Sequence, residues 1–345
     1  MTMELGVYSF GDIATDPATG RPGSPEQQLK ETLERIRFAD ELGLDWFGIG
    51  EHHRPEYSIS SPATVLAAAA SITKNITLSS AVTVLSTEDP VRVFQQFSTI
   101  DLLSGGRVEI AAGRGSFIES FPLFGANLDD YDQLYEEKLD LLLALNSSER
   151  VTWEGKFRPA LNDALILPRP SRGKLDIWIA TGGNPESSMR AGYLGLPINY
   201  AVIGGYPEQF APLAKLYREA GAAAGHAASD LKVAVSGPGF LAKTSQEAKD
   251  TFYPYWHTSM TKIASERGFT APSRLGFDTQ VARRGAIFAG SPNEVADKII
   301  ALHGHLDYDR HALQMDWSGL PHNLVMRSIE LLATDVMPQV RAAIG

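Results

Sequence analysis

The sequence lacks cysteine, and it lacks any uninterrupted apolar run of roughly 18 residues, the length that a membrane-spanning helix needs. Without cysteine, the 345-residue chain can form no disulfide, no thiolate metal site and no cysteine nucleophile. Its first residues, MTMELGVYSFGD, contain no basic region followed by an apolar stretch, which a secretion signal would have. Together these absences predict a cytoplasmic protein without a membrane segment.

Positive charge is also scarce. Lys and Arg number 31 against 41 Asp and Glu, which gives a net charge of −10 at pH 7, and no block rich in Lys or Arg occurs. Such a chain does not attract a polyphosphate backbone, so we expect no nucleic-acid partner. Hydrophobic residues make up 43% of the chain and charged residues 21%. These proportions are typical of globular proteins and predict a sizeable buried core.

Short apolar runs alternate with amphipathic segments of helix length along most of the chain. This alternation predicts a parallel sheet covered by helices, either open and doubly wound or closed into a barrel. Eight strand-like runs favour the closed form, an α/β fold of the (β/α)8 TIM-barrel type that occupies residues 1–345 as one domain. The predicted strands are Met3–Phe10, Leu44–Gly50, Ile76–Leu85, Arg107–Ala112, Leu175–Ala180, Ile198–Val202, Leu231–Leu241 and His311–Asp316.

Two segments interrupt the alternation. Val151–Leu167 has the pattern of a β-hairpin, which predicts an insertion near residues 150–170. Between residues 251 and 284 the periodicity decays, and the segment carries aromatic residues around Pro254. A long irregular segment in an α/β protein is more often a lid or a binding loop than a plain connection. We therefore expect a lid-like insertion there.

The second predicted strand ends in Glu51-His52-His53. In a (β/α)8 barrel, reactive groups lie at the carboxyl ends of the strands, where the loops surround one mouth. A neutral imidazole can accept or donate a proton near pH 7, and an adjacent carboxylate can fix its tautomer. We therefore predict an acid/base role for at least one of His52 and His53, with Glu51 as the adjacent carboxylate. The alternative is that one histidine caps the loop and the other is solvated.

Small or cationic residues end the next two strands. Ser80, Ala81 and Val82 follow the third strand and would let a flat ligand approach the backbone closely. Arg114 follows the fourth strand between two glycines, a combination suited to a phosphate or an anionic ring. The competing explanation for Arg114 is a surface residue at the entry to a helix.

The fifth predicted strand ends in Thr181-Gly182-Gly183 and leads into a helix. The N-terminus of a helix offers unpaired backbone N–H groups and a favourable dipole, which together bind a phosphate. An ordinary helix-capping turn explains the same residues equally well. The G-x-G-x-x-G spacing of a dinucleotide site is absent.

One cluster has metal-ligand residue types, and its members are His303, His305, Asp307, Asp309 and His311. These residues lack the H-E-x-x-H helix spacing, and they lie between a predicted helix and the strand that follows it. That connection belongs to the barrel end opposite the mouth, so we predict a solvated turn and no metal.

Taken together, the strand ends resemble the bacterial luciferase-like flavin monooxygenase family. The resemblance covers residues 4–130 well and the remainder more loosely. Its segments are Trp46–His53, Ser79–Leu85, Asp89–Arg92, Leu103–Arg107, Gly113–Gly115, Phe124–Gly125, Gly195–Pro197 and Gly290–Val295.

The resemblance implies a luciferase-like barrel whose mouth binds reduced FMN and uses O2 to oxygenate a small organic substrate. It implies that His52 assists proton transfer near the flavin. The Ala81–Val82 peptide would lie beneath the flavin ring, where the family often has a cis bond. Arg114 would lie near the phosphate or the ring, and the turn at residues 181–184 would hold the phosphate.

The chain departs from the family in that turn, where Gly182 and Gly183 replace a frequent serine, so phosphate contacts would fall mostly to the backbone and to Thr181. Because no nicotinamide fingerprint is present, we expect a separate NAD(P)H:flavin reductase to supply reduced FMN. Family habit implies a homodimer. Two alternatives stay open: a deazaflavin-dependent hydride-transfer enzyme of the same barrel, and a flavin-binding protein without turnover.

Overall fold

The structure, a computed structural model, describes residues 2–13, 23–115 and 117–345. Its strands are β1 (Glu4–Ser9), β2 (Trp46–Ile49), β3 (Thr77–Ser80), β4 (Thr83–Val84), β5 (Val108–Gly113), β6 (Arg150–Trp153), β7 (Leu161–Leu165), β8 (Asp176–Thr181), β9 (Ile198–Ala201), β10 (Val233–Leu241), β11 (Phe288–Gly290) and β12 (Arg310–Gln314). Around the barrel the order is β1, β2, β3, β5, β8, β9, β10 and β12, all parallel. Since β12 also pairs with β1, the ring is closed, and the predicted (β/α)8 barrel is confirmed.

Helices cover the outside of the barrel. They are α1 (Pro25–Glu41), α2 (Pro62–Ala70), α3 (Pro90–Ser104), α4 (Ser120–Leu123), α5 (Tyr131–Ser147), α6 (Pro185–Leu194), α7 (Ala211–Ala223), α8 (Ser245–Arg267), α9 (Arg274–Val281), α10 (Pro292–Leu306), α11 (His322–Leu331) and α12 (Met337–Ile344). Within the described ranges, no helix combines the length and the apolar character that crossing a membrane requires.

Helix starts follow local sequence signals. The Asp89 side chain accepts hydrogen bonds from the first-turn N–H groups of α3, whose first residue is Pro90. Ser24 caps α1 in the same way, and Pro25 follows it. Proline suits this position because the first helical N–H has no partner within the helix. At α1 and α3, these caps therefore fix the residue at which the loop of the mouth ends and the helix begins.

A buried ion pair fills the amino-terminal end of the barrel. The Arg310 guanidinium donates to both oxygens of Glu109, at 2.5 and 3.2 Å. Trp46 Nε1 donates to the same carboxylate at 2.6 Å, and Arg310 lies 4.4 Å from the centre of the Trp178 ring. These large side chains close one end of the barrel interior. The carboxyl ends of the strands form the end that can admit a ligand.

The two predicted insertions have different structures. β6 and β7 pair in antiparallel orientation, as in a hairpin. The prediction of an irregular segment between residues 251 and 284 is wrong, because α8 and α9 occupy most of it. Phe252 and Trp256 of α8 are fully buried, and Pro254 lies inside the helix. Proline and bulky aromatic residues disguise the helical period, since proline normally disfavours a helix interior.

His311 on β12 makes the stability of the fold sensitive to acid. It is buried against Tyr308, whose hydroxyl lies 3.0 Å from Nδ1. Burial, followed by the positive charge of Lys298, lowers the pKa of His311 to about 3. The unfolded chain takes up a proton near pH 6.5, whereas the folded chain does not until about pH 3. Stability is therefore lost as the pH falls below 6.5.

We expect this residue to contribute a loss of about 2 kcal/mol in unfolding free energy between pH 7 and pH 5. The measurement is urea denaturation of the wild type and His311→Gln at both pH values. Taking the difference between the two proteins removes the contributions of other titrating groups. An equal loss in both proteins would contradict the assignment.

Candidate active site

Small residues form the floor of the mouth where β2, β3 and β5 end. The Ala81–Val82 peptide bond is cis, as the resemblance implied, and both residues are half-buried. A Cβ atom at Gly50 would lie 2.6 Å from the Ala81 carbonyl oxygen, and one at Gly113 would lie 2.6 Å from a Val82 methyl group. Glycine therefore allows the strand ends and the Phe10 ring to approach closely, and Ala81 and Val82 themselves present only small side chains.

Ser80 has a buried side chain that serves the sheet. Its hydroxyl donates to the Ala111 carbonyl oxygen at 3.3 Å and accepts from the Ala111 N–H at 3.0 Å. These bonds tie the end of β3 to β5. Ser80 is fully buried, so it supports the position of Ala81 and does not open into the mouth.

Aromatic rings enclose the imidazole of His52. Its centroid lies 4.5 Å from those of Phe10 and Tyr57 and 4.7 Å from that of Phe117. Nδ1 lies 3.8 Å from the carboxylate of Glu119. Burial, followed by neighbouring positive charge, lowers the pKa of His52 to about 3. The ring is therefore neutral at physiological pH and can act as a hydrogen-bonding group.

Glu51 faces the other histidine. Its Oε1 lies 3.6 Å from Nε2 of His53, and its side chain is buried. The interaction with Glu51 raises the pKa of His53, although partial burial opposes the shift. His53 is thus the histidine of the pair whose protonated form is favoured by its surroundings. The resemblance implied a role for His52, and the pairing of Glu51 with His53 is set by the loop that follows β2, which ends at Ile49.

Arg114 joins the two segments for which the sequence predicted anion binding. Its guanidinium donates to Asp132 at 2.6 Å and to the Ser187 hydroxyl at 3.0 Å. Ser187 lies in the first turn of α6, directly after the turn that follows β8. The end of β5 and the N-terminus of α6 therefore meet at one cationic group.

The hydroxyl of Thr181 organises the turn itself. It accepts from the N–H groups of Gly183 at 3.3 Å and Asn184 at 3.2 Å, while the Asn184 side chain caps the N–H of Ser187. Gly183 has a φ of +109°, and a Cβ atom at Gly182 would meet no atom within 4 Å. The hydroxyl beside the guanidinium thus comes from Ser187, which sequence analysis missed. Its position three residues after a capping asparagine was the available signal.

A cavity of about 290 Å³ lies beside His52. The ends of β1 and β2 form one side, with Asp12 and Tyr57 in the wall, and α8 forms the roof with Ser259. Tyr57 and Phe117 line this cavity and also pack on the imidazole of His52. A ligand held there would lie next to the histidine.

The histidine cluster near the end of α10 is remote from this site. His303 lies in the last turn of α10, and His311 lies near the start of β12, at the amino-terminal end of the barrel. The prediction of a solvated turn is wrong for His311, because β12 packs inside the barrel wall and leaves this side chain 1% exposed. In the part of the chain that the structure describes, no three His, Asp or Glu side chains are grouped to hold a metal ion.

Comparisons with known proteins identify the relatives of this chain. Residues 3–307 match the family model for luciferase-like monooxygenases. Uncharacterized protein y4vJ of Sinorhizobium fredii (strain NBRC 101917 / NGR234) is 24% identical over 330 residues, which cover 92% of this chain and 93% of that protein.

Solved structures share the whole fold. Monooxygenase RslO1 from Streptomyces bottropensis superposes with a TM-score of 0.85 and 26% identity, over 97% of this chain and 99% of that chain. The oxygenating constituent of 3,6-diketocamphane monooxygenase from Pseudomonas putida, in complex with FMN, gives a TM-score of 0.78 and 23% identity over 99% of both chains. The second likeness shows the fold alone. Because the family model spans most of its length, the chain belongs to the luciferase-like monooxygenase family.

Proposed function

We propose that this protein is the oxygenating component of a two-component monooxygenase, which uses reduced FMN and O2 to oxygenate a small organic substrate. The observation that carries the proposal is the layout of the mouth. A floor of small residues at Ala81 and Val82 lies between a cationic group, Arg114, and an enclosed histidine, His52. A planar ring with an anionic tail matches this layout.

The donor groups fit FMN. Ala81 and Val82 offer a surface for the flat ring system, and the close approach of strands at Gly113 keeps that surface open. Arg114 and the hydroxyl of Ser187 would hold the phosphate together with the turn that contains Gly182 and Gly183. Charge-assisted hydrogen bonds from a guanidinium are well suited to phosphate oxygens.

The chain's own residues would orient the reactants and manage protons. Reduced FMN, when bound, supplies the electrons for O2 chemistry, which no side chain here can supply. Neutral His52 would stabilise negative charge that develops beside it through a hydrogen bond. Glu51 would favour the protonated form of His53, and the cavity beside Tyr57 would position the substrate.

Helix α8 would serve as the lid expected from the sequence. It forms the roof of the cavity, and Glu266 of α8 binds the Arg54 guanidinium at the end of β2 with both carboxylate oxygens. A closed roof excludes water and limits the wasteful release of hydrogen peroxide. A shortened variant with unchanged peroxide release would contradict this role.

One experiment distinguishes the proposed function from the two alternatives, the deazaflavin-dependent enzyme and the flavin carrier. The purified protein is titrated with FMN, with reduced FMN under nitrogen and with a deazaflavin, and binding is followed by absorbance and fluorescence. NADH and a separate flavin reductase are then added in air with a panel of organic compounds, and oxygenated products are identified by mass spectrometry. We expect reduced FMN to bind and one product to gain an oxygen atom from 18O2.

The other outcomes favour the alternatives. Preference for the deazaflavin, with hydride transfer and no gain of oxygen, would replace the proposal by a deazaflavin-dependent oxidoreductase. Flavin binding without accelerated oxidation of any compound would support a carrier protein. Failure to bind either cofactor would overturn all three functions.

A further inference from the structure

The cavity beside His52 has walls of two chemical kinds. Ile13, Phe117 and Tyr255 line it with apolar and aromatic surface. Asp12 and Ser318 add polar groups to the same lining. A ligand that fills this space therefore matches it best with a hydrophobic ring that carries a polar group.

Charged groups in the wall argue against a charged ligand. Arg54 and Lys262 line the cavity, and both form ion pairs with Glu56. A cationic ligand would meet two cationic side chains. An anionic ligand would meet Glu56 and the carboxyl group of Asp12. The electrostatics therefore favour a neutral ligand.

Asp12 is a buried polar residue of the cavity wall. It is only 3% exposed, and among the described residues each of its carboxylate oxygens accepts one hydrogen bond, from Gln314 Nε2 at 3.2 Å and from the Ser318 N–H at 3.1 Å. A carboxylate has about four acceptor sites, so capacity remains. Within the described residues, no Lys or Arg nitrogen lies within 4 Å of Asp12, whereas Arg35 pairs with the neighbouring Asp316 at 3.1 Å.

We propose that Asp12 is a specificity-determining residue that hydrogen-bonds a hydroxyl group of the substrate, and that the substrate is a neutral, hydroxylated ring compound. The assignment rests on the proposed function in taking the ligand of this cavity to be the substrate. A hydroxyl group suits Asp12 because it can both donate and accept. The pairing therefore forms whether Asp12 is ionised or protonated.

The surroundings of Asp12 support this assignment. Burial and the carboxylate of Asp316 raise the pKa of Asp12, while Arg35, Gln314 and Ser318 oppose the shift. The side chain is thus a poorly solvated polar group in a cavity wall. Leaving such a group without its partner is costly, so a ligand that lacks the hydroxyl is rejected.

The test compares two ligands of nearly equal shape, 2-naphthol and 2-fluoronaphthalene, on the full-length protein without flavin. Isothermal titration should show that the wild type binds 2-naphthol about tenfold to a hundredfold more tightly. Asp12→Ala should reduce this ratio to about one. Ile263→Ala, a control in the cavity wall, should weaken both ligands and keep the ratio.

The wild type alone can overturn the proposal, by binding both ligands with equal affinity or by binding neither. This part of the test does not require that Asp12→Ala folds. A ratio that survives Asp12→Ala would overturn it as well. Because no flavin is present, this result is independent of FMN binding. Failure of the monooxygenase function would leave the ratio unchanged, and failure of this proposal would leave FMN affinity unchanged.

Discussion

Replacing His52 by alanine is expected to lower the rate of substrate oxygenation by about 100- to 1,000-fold, the usual effect of removing one hydrogen bond to developing charge. The affinity for FMN should not change, because the imidazole of His52 lies among Phe10, Tyr57 and Phe117 and not beside Arg114, the proposed phosphate contact. The measurements are the rate of product formation and hydrogen peroxide release with the substrate found by screening, together with an FMN titration.

The pH dependence separates His52 from His53. Because the pKa of His52 is about 3, its loss should lower the activity equally at every pH between 5 and 8. His53 has a raised pKa, so if its protonated form is required, activity falls as the pH rises through that value. His53→Gln should then remove this inflection. Weaker FMN binding with normal turnover in His52→Ala would make His52 a cofactor contact instead.

The barrel could be predicted from the sequence because its strands are short, apolar and regularly spaced. Strands that are covered on both faces read as continuous apolar runs, and β10 is buried along its whole length. The segment at α8 could not be predicted, because Pro254 and buried aromatic residues such as Phe252 conceal its helical period. The buried residues of α8, which are Ala248, Phe252, Trp256 and Ala264, keep a four-residue spacing, but half-buried aromatic residues such as Tyr253 and Tyr255 lie between them and mask that spacing in the sequence.

Within the site, the strand ends could be located from the sequence, but the contacts and pKa values of the individual residues could not. Glu51, His52 and His53 are adjacent in the chain, yet the first pairs with the third and the second is enclosed by aromatic rings. Burial and neighbouring charge decide their pKa values, and both depend on the fold. Ser187 was missed for a related reason, since Arg114 reaches it only after β5 and α6 come together.

Replacing Arg114 by alanine is expected to weaken FMN binding about tenfold to a hundredfold, because a charge-assisted hydrogen bond contributes about 1.5–3 kcal/mol. The guanidinium would exchange its exposed partner Asp132 for the phosphate while it keeps the Ser187 hydroxyl. Ser187→Ala removes a neutral partner and should have a smaller effect. Dissociation constants are measured by quenching of flavin fluorescence.

Riboflavin, which lacks the phosphate, provides the decisive control. If Arg114 binds the phosphate, Arg114→Ala leaves the affinity for riboflavin unchanged and removes the preference for FMN. Asp132→Asn should keep or strengthen FMN binding, because it removes a carboxylate that competes for the same guanidinium. Equal weakening of both flavins would place Arg114 beside the ring. If the affinity for FMN is unchanged, Arg114 does not bind the cofactor. Its contacts with Asp132 and Ser187 then serve only to connect β5 and α6.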